Sequence, residues 1–240
     1  MLKAVCRFER DRMLRSSKLM VPLLLLIAYT GIAYSMAPLS IPGSFGICSL
    51  VVFMLALGVG VMCDDLHIPS IDGTIFVKMR RTWYFYLAKT LTLAWVSLLF
   101  SLISVFAPLL IHVFGGSLFD RVVVFSDIYS GLALFWLVAM SGGMAGLFAN
   151  YRIIRGRKAA IALAALFGVL AIVKGAINNA AEPLKFLTWI LPPVYDISTA
   201  YGANKYFDPG GMWMYFAWLA VYVAIEIALY IRIMQKRGFE

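Results

Sequence analysis

Residues that could serve as nucleophiles, bases or metal ligands are few and widely separated in this chain. Ser141, which precedes two glycines, could be the nucleophile of an intramembrane hydrolase, but that reaction needs a histidine at the same depth to accept the serine proton. The only histidines are His67, in the connection after the second apolar run, and His112, near the far end of the third run, and neither is placed at the depth of Ser141. The motifs H-E-x-x-H and G-x-x-x-x-G-K-[ST] are both absent from the sequence. We therefore expect the chain not to be an enzyme and to bind no metal, ATP or other cofactor of its own.

Two charged residues, Lys89 and Glu226, interrupt long apolar runs. Glu226 lies six residues before Arg232, which is about 9 Å along a helix, and Lys89 lies at a similar depth in its own run. Charged side chains in lipid usually face the bundle interior and pair with one another. We predict an ion pair between Lys89 and Glu226. The alternative is that Lys89 reaches the membrane surface while Glu226 is protonated or hydrated.

Small residues at helical spacing indicate where helices pack closely. Gly142 and Gly146 form a GxxxG step. In the next apolar run, Gly168 and Gly175 share one narrow strip with three alanines. Strips of this kind let helix backbones approach each other in lipid. We therefore predict that these four glycines are helix-packing positions.

The composition requires that these residues be carried by membrane helices. Of the 240 residues, 62% are hydrophobic and 14% are charged, and the mean hydropathy is +0.88. Soluble domains are about 45–50% apolar and about 25% charged, so this chain has too little polar surface for a water-soluble globule. Its longest apolar runs can cross about 30 Å of hydrocarbon as helices, and they lack the strict alternation of a barrel strand. We predict an all-α integral membrane protein.

The apolar runs divide the chain into a surface helix and a membrane domain. Residues 1–18 are basic and weakly amphipathic, which is typical of a helix lying along the cytoplasmic membrane surface. The length of this charged segment argues against a cleaved signal peptide. Residues 19–240 form the predicted six-span domain, and the spans cover about 19–36, 45–63, 83–114, 131–150, 159–177 and 212–234.

The positions of the basic residues predict the orientation. All but four of the 21 Lys and Arg lie on one side of the predicted bundle, and that side includes both termini and the loop 64–82. The positive-inside rule makes this side cytoplasmic. The net charge of +9 therefore reflects membrane insertion, and we expect membrane lipid rather than nucleic acid as a partner. The four exceptions are Arg121, Lys174, Lys185 and Lys205.

Residues 178–211 form a long connection on the predicted outer side. They include PLKFLTWILPPVYDI, which is apolar but too short to cross the membrane. We predict an extracellular segment that re-enters the membrane or lies at its surface. A turn at residues 192–193, both proline, would have to be shielded from lipid by protein.

The predicted spans lack the groups that move small ions or protons. No chain of acids or histidines crosses the membrane, so a proton-driven mechanism would lack its usual relay. The spans are instead apolar and aromatic, with Trp95, Trp136 and Trp218 among their residues. These features favour an amphiphilic or hydrophobic substrate. Some of the tryptophans could equally be interfacial anchors.

The predicted architecture resembles the permease subunit of type-2 ABC transporters. The shared features are six spans, cytoplasmic termini, a basic amphipathic first helix and no ATP motif. Between its second and third spans the family has a charged cluster, a Gly-Thr pair, a basic patch and Tyr-x-x-Gly-Lys. This sequence has Asp64-Asp65, Gly73-Thr74, Arg80-Arg81 and Tyr86-Leu87-Ala88-Lys89 in that order. Ala88 replaces the usual glycine, and the Gly-Thr to Lys spacing is shorter than in the family.

The resemblance implies a half-transporter in a bacterial plasma (inner) membrane. A second copy or a sister permease would complete the pathway, and separate ATPase subunits would bind ATP and Mg²⁺. The family is dominated by exporters of peptides, lipids and drugs. Its coupling segment, which contacts the ATPase, corresponds here to the loop 64–82. The contact residues implied are Ile71, Asp72, Gly73, Thr74, Ile75, Lys78, Arg80 and Arg81.

Two other functions compete with this interpretation. A small secondary carrier, or the membrane substrate-binding component of a vitamin-type importer, would predict repeat symmetry between spans one to three and four to six. The two halves show no convincing match beyond their equal number of spans. A membrane enzyme would need a clustered nucleophile, acid or metal site, and the sequence contains no such cluster.

Overall fold

The computed structural model describes residues 2–35, 38–64, 73, 83–115, 118–149, 153–154, 156–180, 188–203, 206–207 and 209–237. These residues contain eight helices, and their only β-type contact is an isolated bridge between Leu39 and Phe119. The helices are α1 Leu2–Arg15, α2 Ser17–Ala33, α3 Ile41–Asp64, α4 Trp83–Gly115, α5 Phe125–Phe148, α6 Arg157–Ala180, α7 Val194–Gly202 and α8 Pro209–Arg237.

Five of the helices, α3, α4, α5, α6 and α8, are long and apolar enough to cross a membrane. Helices α1 and α2 meet at a 65° bend and together provide a candidate for a sixth crossing. With 17 residues, α2 alone is about 26 Å long, slightly less than the hydrocarbon thickness. The prediction of an all-helical fold is therefore confirmed for the described residues, and the five long apolar helices are consistent with a multi-pass membrane protein. The sixth crossing and the sidedness of the termini stay predictions.

The bend between α1 and α2 is built into the local sequence. Ser16 lies between the two helices with an extended backbone, and its hydroxyl accepts a 3.2 Å hydrogen bond from the backbone N–H of Lys18. This contact satisfies one of the free amides at the start of α2. On α1, the buried residues Val5, Glu9 and Met13 recur every four positions, so they share one face of the helix.

Several helices begin earlier than the apolar runs suggest. Helix α5 starts at Phe125 rather than near residue 131, because the Asp127 carboxylate accepts a 3.1 Å hydrogen bond from the backbone N–H of Val124. An acidic residue in the first turn also complements the helix dipole. Helix α3 starts at Ile41 rather than near residue 45, and it accommodates Pro42 in its first turn.

The core of the bundle is a close contact between α3 and α5. A Cβ added to Gly60 would lie 2.9 Å from the Cα of Gly146, and it would also meet the carbonyl oxygen of Gly143. A Cβ on Gly142 would meet the carbonyl oxygen of Phe53. Glycine is thus required along this contact because the two backbones touch. In their most apolar windows, 56% of α3 and 67% of α5 are buried, compared with 33% of α6 and 28% of α8.

The bundle has two distinct ends. At the end that we call the α1 end, α1 packs against the last turn of α3 and the start of α4. There, Met13 and Cys63 bring their sulfur atoms within 3.8 Å, and the Arg10 guanidinium lies 6.0 Å from the centre of the Trp95 ring. At the opposite end, the α7 end, the hydroxyl of Ser198 donates a 2.7 Å hydrogen bond to the carbonyl oxygen of Gly46 near the start of α3.

Polar contacts hold the connections together at the α7 end. The backbone N–H of Leu39 donates to the carbonyl of Leu118 at 3.0 Å. Arg121 donates two hydrogen bonds to Asp127, at 2.7 and 2.8 Å, and these bonds raise the pKa of the guanidinium. The hydroxyls of Ser130 and Tyr201 lie 2.8 Å apart, which ties α5 to α7.

Candidate functional site

A groove of about 390 Å³ separates α6 from α8. We call it the α6–α8 groove. Its floor is formed by α5, and its walls are almost entirely apolar. The volume falls within the range of about 300–1,000 Å³ that is typical of small-molecule sites. The groove is lined by Ala145, Phe148, Ala149, Ile154, Leu163, Ala164, Phe167, Ile190, Tyr222, Ile225, Glu226 and Leu229.

Glu226 is the charged residue among the groove-lining side chains. It is only 6% exposed, and its Oε2 atom has no hydrogen-bond partner among the described residues. The carboxylate lies beside the hydroxyl of Ser141, which is itself fully buried. A buried carboxylate is costly unless it is paired or hydrogen-bonded. Glu226 is therefore the chemically distinctive group of the groove.

The turn at residues 188–193 closes one end of the groove. Its Ile190 carbonyl accepts a 2.7 Å hydrogen bond from the hydroxyl of Tyr222. Next to this bond, the rings of Trp189 and Trp218 meet edge to face with centroids 6.4 Å apart. The turn thus reaches the middle turns of α8, and residues 183–187 of the predicted re-entrant apolar piece lie outside the described residues.

A much smaller pocket, of about 20 Å³, lies at the α1 end. Both Glu9 and Lys89 line it, together with Met13 of α1, Cys63 of α3 and one further residue from each of α4 and α5. The Oε1 atom of Glu9 has no hydrogen-bond partner among the described residues. The Nζ atom of Lys89 lies 5.2 Å from the ring centre of Phe85, a cation–π distance. A pocket of this volume can hold one water molecule.

The structure places the two residues of the predicted ion pair in different cavities. Lys89 lines the small pocket at the α1 end, whereas Glu226 lines the α6–α8 groove. Glu9 is the acid that lines the same cavity as Lys89, and sequence reasoning missed it because residues 1–18 are predicted to lie on the membrane surface.

The predicted ATPase-contact segment is mostly outside the described residues. Of its eight residues only Gly73 is described; it is helical, and no atom lies within 4 Å of the position of a Cβ. Both helix ends that flank the segment are nevertheless described. Helix α3 ends beside Met13 of α1, and α4 begins near the pocket that contains Glu9. The residues outside the description are Ile71, Asp72, Thr74, Ile75, Lys78, Arg80 and Arg81.

The four glycines predicted as packing positions lie at helix contacts. Gly142 and Gly146 of α5 face the backbone of α3. Gly168 of α6 faces α3, because its added Cβ would lie 2.7 Å from the sulfur of Met54. Gly175 lies against the ring of Tyr195 in α7. The small residues therefore mark how α5 and α6 dock on the rest of the bundle.

One ion pair that sequence reasoning missed connects α6 to α7. The Nζ atom of Lys174 lies 2.6 Å from Oδ2 of Asp196. Lys174 is only 8% exposed. Its position near the predicted outer end of a span was the available signal, since a basic residue on that side departs from the positive-inside rule and needs a partner.

The structure shows the surroundings of His112 and Ser141, two residues whose types could take part in chemistry. Within the described ranges, no group of three or more His, Cys, Asp or Glu could hold a metal. His112 has a structural contact, because its Nδ1 accepts a 3.2 Å hydrogen bond from the backbone N–H of Leu118. Ser141, the possible nucleophile, lies beside Glu226 rather than beside a described histidine.

Comparison with known proteins identifies no relative. The chain matches no protein-family model, no curated protein and no solved structure. Its function must therefore be inferred from its own sequence and geometry. The features available for that inference are the α6–α8 groove and the organisation of the α1 end.

Proposed function

We propose that this chain is the transmembrane permease subunit of an ATP-driven ABC exporter. It moves an amphiphilic or hydrophobic substrate, such as a peptide, lipid or drug-like molecule, and is not itself an enzyme. The ATP and Mg²⁺ bind to a separate ATPase subunit. A second permease, either another copy or a sister chain, completes the pathway.

The observation that carries this proposal is the location of the ends of the coupling segment. The last turn of α3 and the first turns of α4 both lie at the α1 end, next to the buried face of α1. A partner that pulled on residues 64–82 would therefore act directly on α3. Because α3 and α5 touch backbone to backbone, the displacement would be passed to α5 without being absorbed by flexible side chains.

The α6–α8 groove supports the proposed class of substrate. It adjoins α5 through Ala145 and Phe148, so a movement of α5 would change the floor of the groove. Its aliphatic and aromatic walls favour apolar molecules over hydrated ions. A permease of this kind would take up its substrate from the membrane rather than from water.

Co-purification tests the link to an ATPase. The tagged chain, extracted from its native membrane in mild detergent, should bring down an ATPase subunit in stoichiometric amount. Gly73→Pro or the double change Arg80→Ala/Arg81→Ala should reduce the recovered ATPase several-fold, because each alters the predicted contact segment. The matched control is Arg157→Ala/Lys158→Ala, which removes two positive charges at the start of α6.

Unchanged ATPase recovery after replacement of the whole loop 64–82 by a Gly/Ser linker would contradict the coupling assignment. The competing interpretation, a secondary carrier, makes a different prediction. Such a carrier would move substrate in proteoliposomes that contain the purified chain alone, without ATP. Transport that requires both the ATPase and ATP supports the permease proposal instead.

A further inference from the structure

We infer that the α6–α8 groove recognises amphiphiles that carry a protonated primary amine, with Glu226 as the group that binds the amine. This inference names the substrate class of the proposed permease and rests on that function for its physiological meaning. The binding itself is a property of this chain alone.

The buried carboxylate of Glu226 is incompletely hydrogen-bonded. Glu226 is 6% exposed, and its Oε2 atom lacks a hydrogen-bond partner among the described residues. Buried carboxylates are normally paired with a cation or hydrogen-bonded. The protein groups around Glu226 leave that requirement incompletely met, so a ligand that brings a positive hydrogen-bond donor would complete the site.

Two hydroxyl groups lie near Glu226, and in the described part of the chain only one of them already has a hydrogen-bond partner. Among the described residues, the polar side chains next to Glu226 are Tyr222, which also lines the groove, and Ser141, which lies behind it. The hydroxyl of Tyr222 already donates to the carbonyl of Ile190. Ser141 has a buried hydroxyl oxygen without a hydrogen-bond partner among the described residues. A primary ammonium group has three donors, enough to bond both Glu226 and Ser141.

The apolar walls of the groove accommodate the part of the ligand that carries the amine. The walls of the groove combine aliphatic residues with the rings of Phe148 and Phe167. Its volume of about 390 Å³ suits one hydrocarbon chain or a drug-sized apolar body. An amine attached to such a body would place its charge at Glu226 and its apolar part along α6 and α8. An anionic amphiphile of the same shape would be repelled by the carboxylate.

A ligand can reach the groove from the side of the bundle. Several wall residues are strongly exposed on the apolar outside of the bundle, with Leu163 48%, Ile225 53% and Leu229 48% exposed. Apolar side chains exposed on a membrane helix face lipid or another membrane helix. The groove is therefore open at the side of the bundle, and an amphiphile dissolved in the membrane can enter it without crossing water.

The test uses the purified full-length chain in phosphatidylcholine nanodiscs, without ATPase or ATP. The probe is dodecylamine with a photoreactive diazirine in its alkyl chain, and labelled peptides are identified by mass spectrometry. We expect labelling of α6 and α8 residues that line the groove, and excess unlabelled dodecylamine should suppress it. The matched probe is the corresponding dodecanol, which has the same chain but no positive charge and should label these residues about tenfold less.

Glu226→Gln should lower labelling by the amine probe about tenfold and leave labelling by the alcohol probe unchanged. Glu9→Gln is the control, because Glu9 is also a buried glutamate with an unpartnered oxygen but lines a different cavity. Equal labelling by amine and alcohol in the wild type would overturn the inference, and this comparison does not depend on any variant folding correctly. Amine labelling that Glu226→Gln leaves intact in a monodisperse preparation would also overturn it.

Two further arms identify the occupant. If phosphatidylethanolamine in the nanodisc suppresses the probe, the amine is a lipid headgroup, and if it does not, the amine belongs to a free amphiphile; both outcomes support recognition of a primary amine. If the wild type is not labelled and chains carrying Leu163→Cys form a disulfide with each other, a second copy fills the groove and the inference is wrong. None of these outcomes depends on ATPase co-purification, so this inference and the proposed function can fail separately.

Discussion

Glu9 of α1 and Lys89 of α4 line one small pocket at the α1 end of the bundle. An acid from the first helix and a lysine from inside a predicted span therefore face the same cavity. Both residues are less than a tenth exposed. Glu9 also pairs within its own helix, because the Arg12 guanidinium lies 3.4 Å from Oε2 of Glu9. The attachment of α1 to α4 is part of the fold.

This shared pocket predicts energetic coupling between Glu9 and Lys89. In a double-mutant cycle with Glu9→Gln and Lys89→Met, the effects on the free energy of unfolding should deviate from additivity by about 1 kcal/mol. A parallel cycle with Glu226→Gln and Lys89→Met should be additive, because these residues line different cavities. Unfolding of the detergent-solubilised protein measures both. Strong coupling in the second cycle alone would support the Lys89–Glu226 pair predicted from sequence.

The contact between α3 and α5 predicts opposite effects at two nearby glycines. Gly60→Ala should destabilise the protein by about 2 kcal/mol, because the new methyl group would overlap the backbone at Gly143 and Gly146. Gly58→Ala, on the same helix, has no atom within 4 Å of the new Cβ. It should be neutral or stabilising by up to about 1 kcal/mol, because alanine favours the helix. Thermal unfolding in detergent gives both values, and equal effects would contradict the contact.

The bidentate pair at the α7 end predicts a large effect for one substitution. Asp127→Asn should lower the free energy of unfolding by about 2 kcal/mol, because it leaves the Arg121 guanidinium with weaker acceptors. The pKa of Arg121 is raised by these hydrogen bonds, so its stabilisation is lost only when the pH rises above the ordinary guanidinium range. A rise in pH within the physiological range should therefore not reduce the difference.

The exposed pair Arg7–Asp11 is the control for this substitution, since its side chains are 78% and 42% exposed. Asp11→Asn should change the free energy of unfolding by less than about 0.5 kcal/mol. A comparable loss for Asp11→Asn and Asp127→Asn would mean that burial of the second pair contributes nothing.

The hydrogen bond from Tyr222 to Ile190 predicts a local change in dynamics. Tyr222→Phe removes this bond, which contributes about 1 kcal/mol. Amide hydrogen exchange at residues 188–191 should then become about fivefold faster, while exchange in α3 and α5 should not change. Tyr215→Phe, a change on the same helix at a residue that is 40% exposed, is the control. If both variants exchange alike, the bond does not hold the turn.

The orientation of the bundle can be tested by cysteine labelling. In a variant whose native cysteines Cys6, Cys48 and Cys63 are replaced, Val122→Cys should react with a membrane-impermeant maleimide in intact cells. Val122 is 82% exposed at the α7 end, the predicted outer side. Lys3→Cys and Lys236→Cys should react only after the membrane is permeabilised, because both termini are predicted to be cytoplasmic. Labelling of only one of these two in intact cells would imply an odd number of crossings.

The membrane helices could be predicted because their cause is local. A backbone in lipid must bond its own N–H and C=O groups, so a sufficiently long apolar run has essentially one structure. The extended first turn of α5 is different, because it depends on Asp127 accepting from Val124 and from Arg121. Those contacts fall in a polar stretch that a hydropathy pattern assigns to a loop.

The candidate site could be predicted only in part. The depth of Glu226 in its span follows from helical rise, and its selection as an unusual residue needed no structure. The direction in which it points depends on how α8 is rotated against α5 and α6, and no local pattern determines that rotation. Glu9 lines the same pocket as Lys89 because the chain bends by 65° between α1 and α2, and that bend is not visible in the hydropathy pattern.

The uneven burial of the helices has a mechanical consequence. Moving α3 against α5 would require two backbones in contact to separate, whereas α6 and α8 expose most of their surface and would lose few neighbours on displacement. A change in the spacing of α6 and α8 is therefore less costly than a separation of α3 from α5. Lateral pressure from the surrounding lipid acts on those same helices, so bilayer composition can set the width of the side opening while the centre keeps its shape.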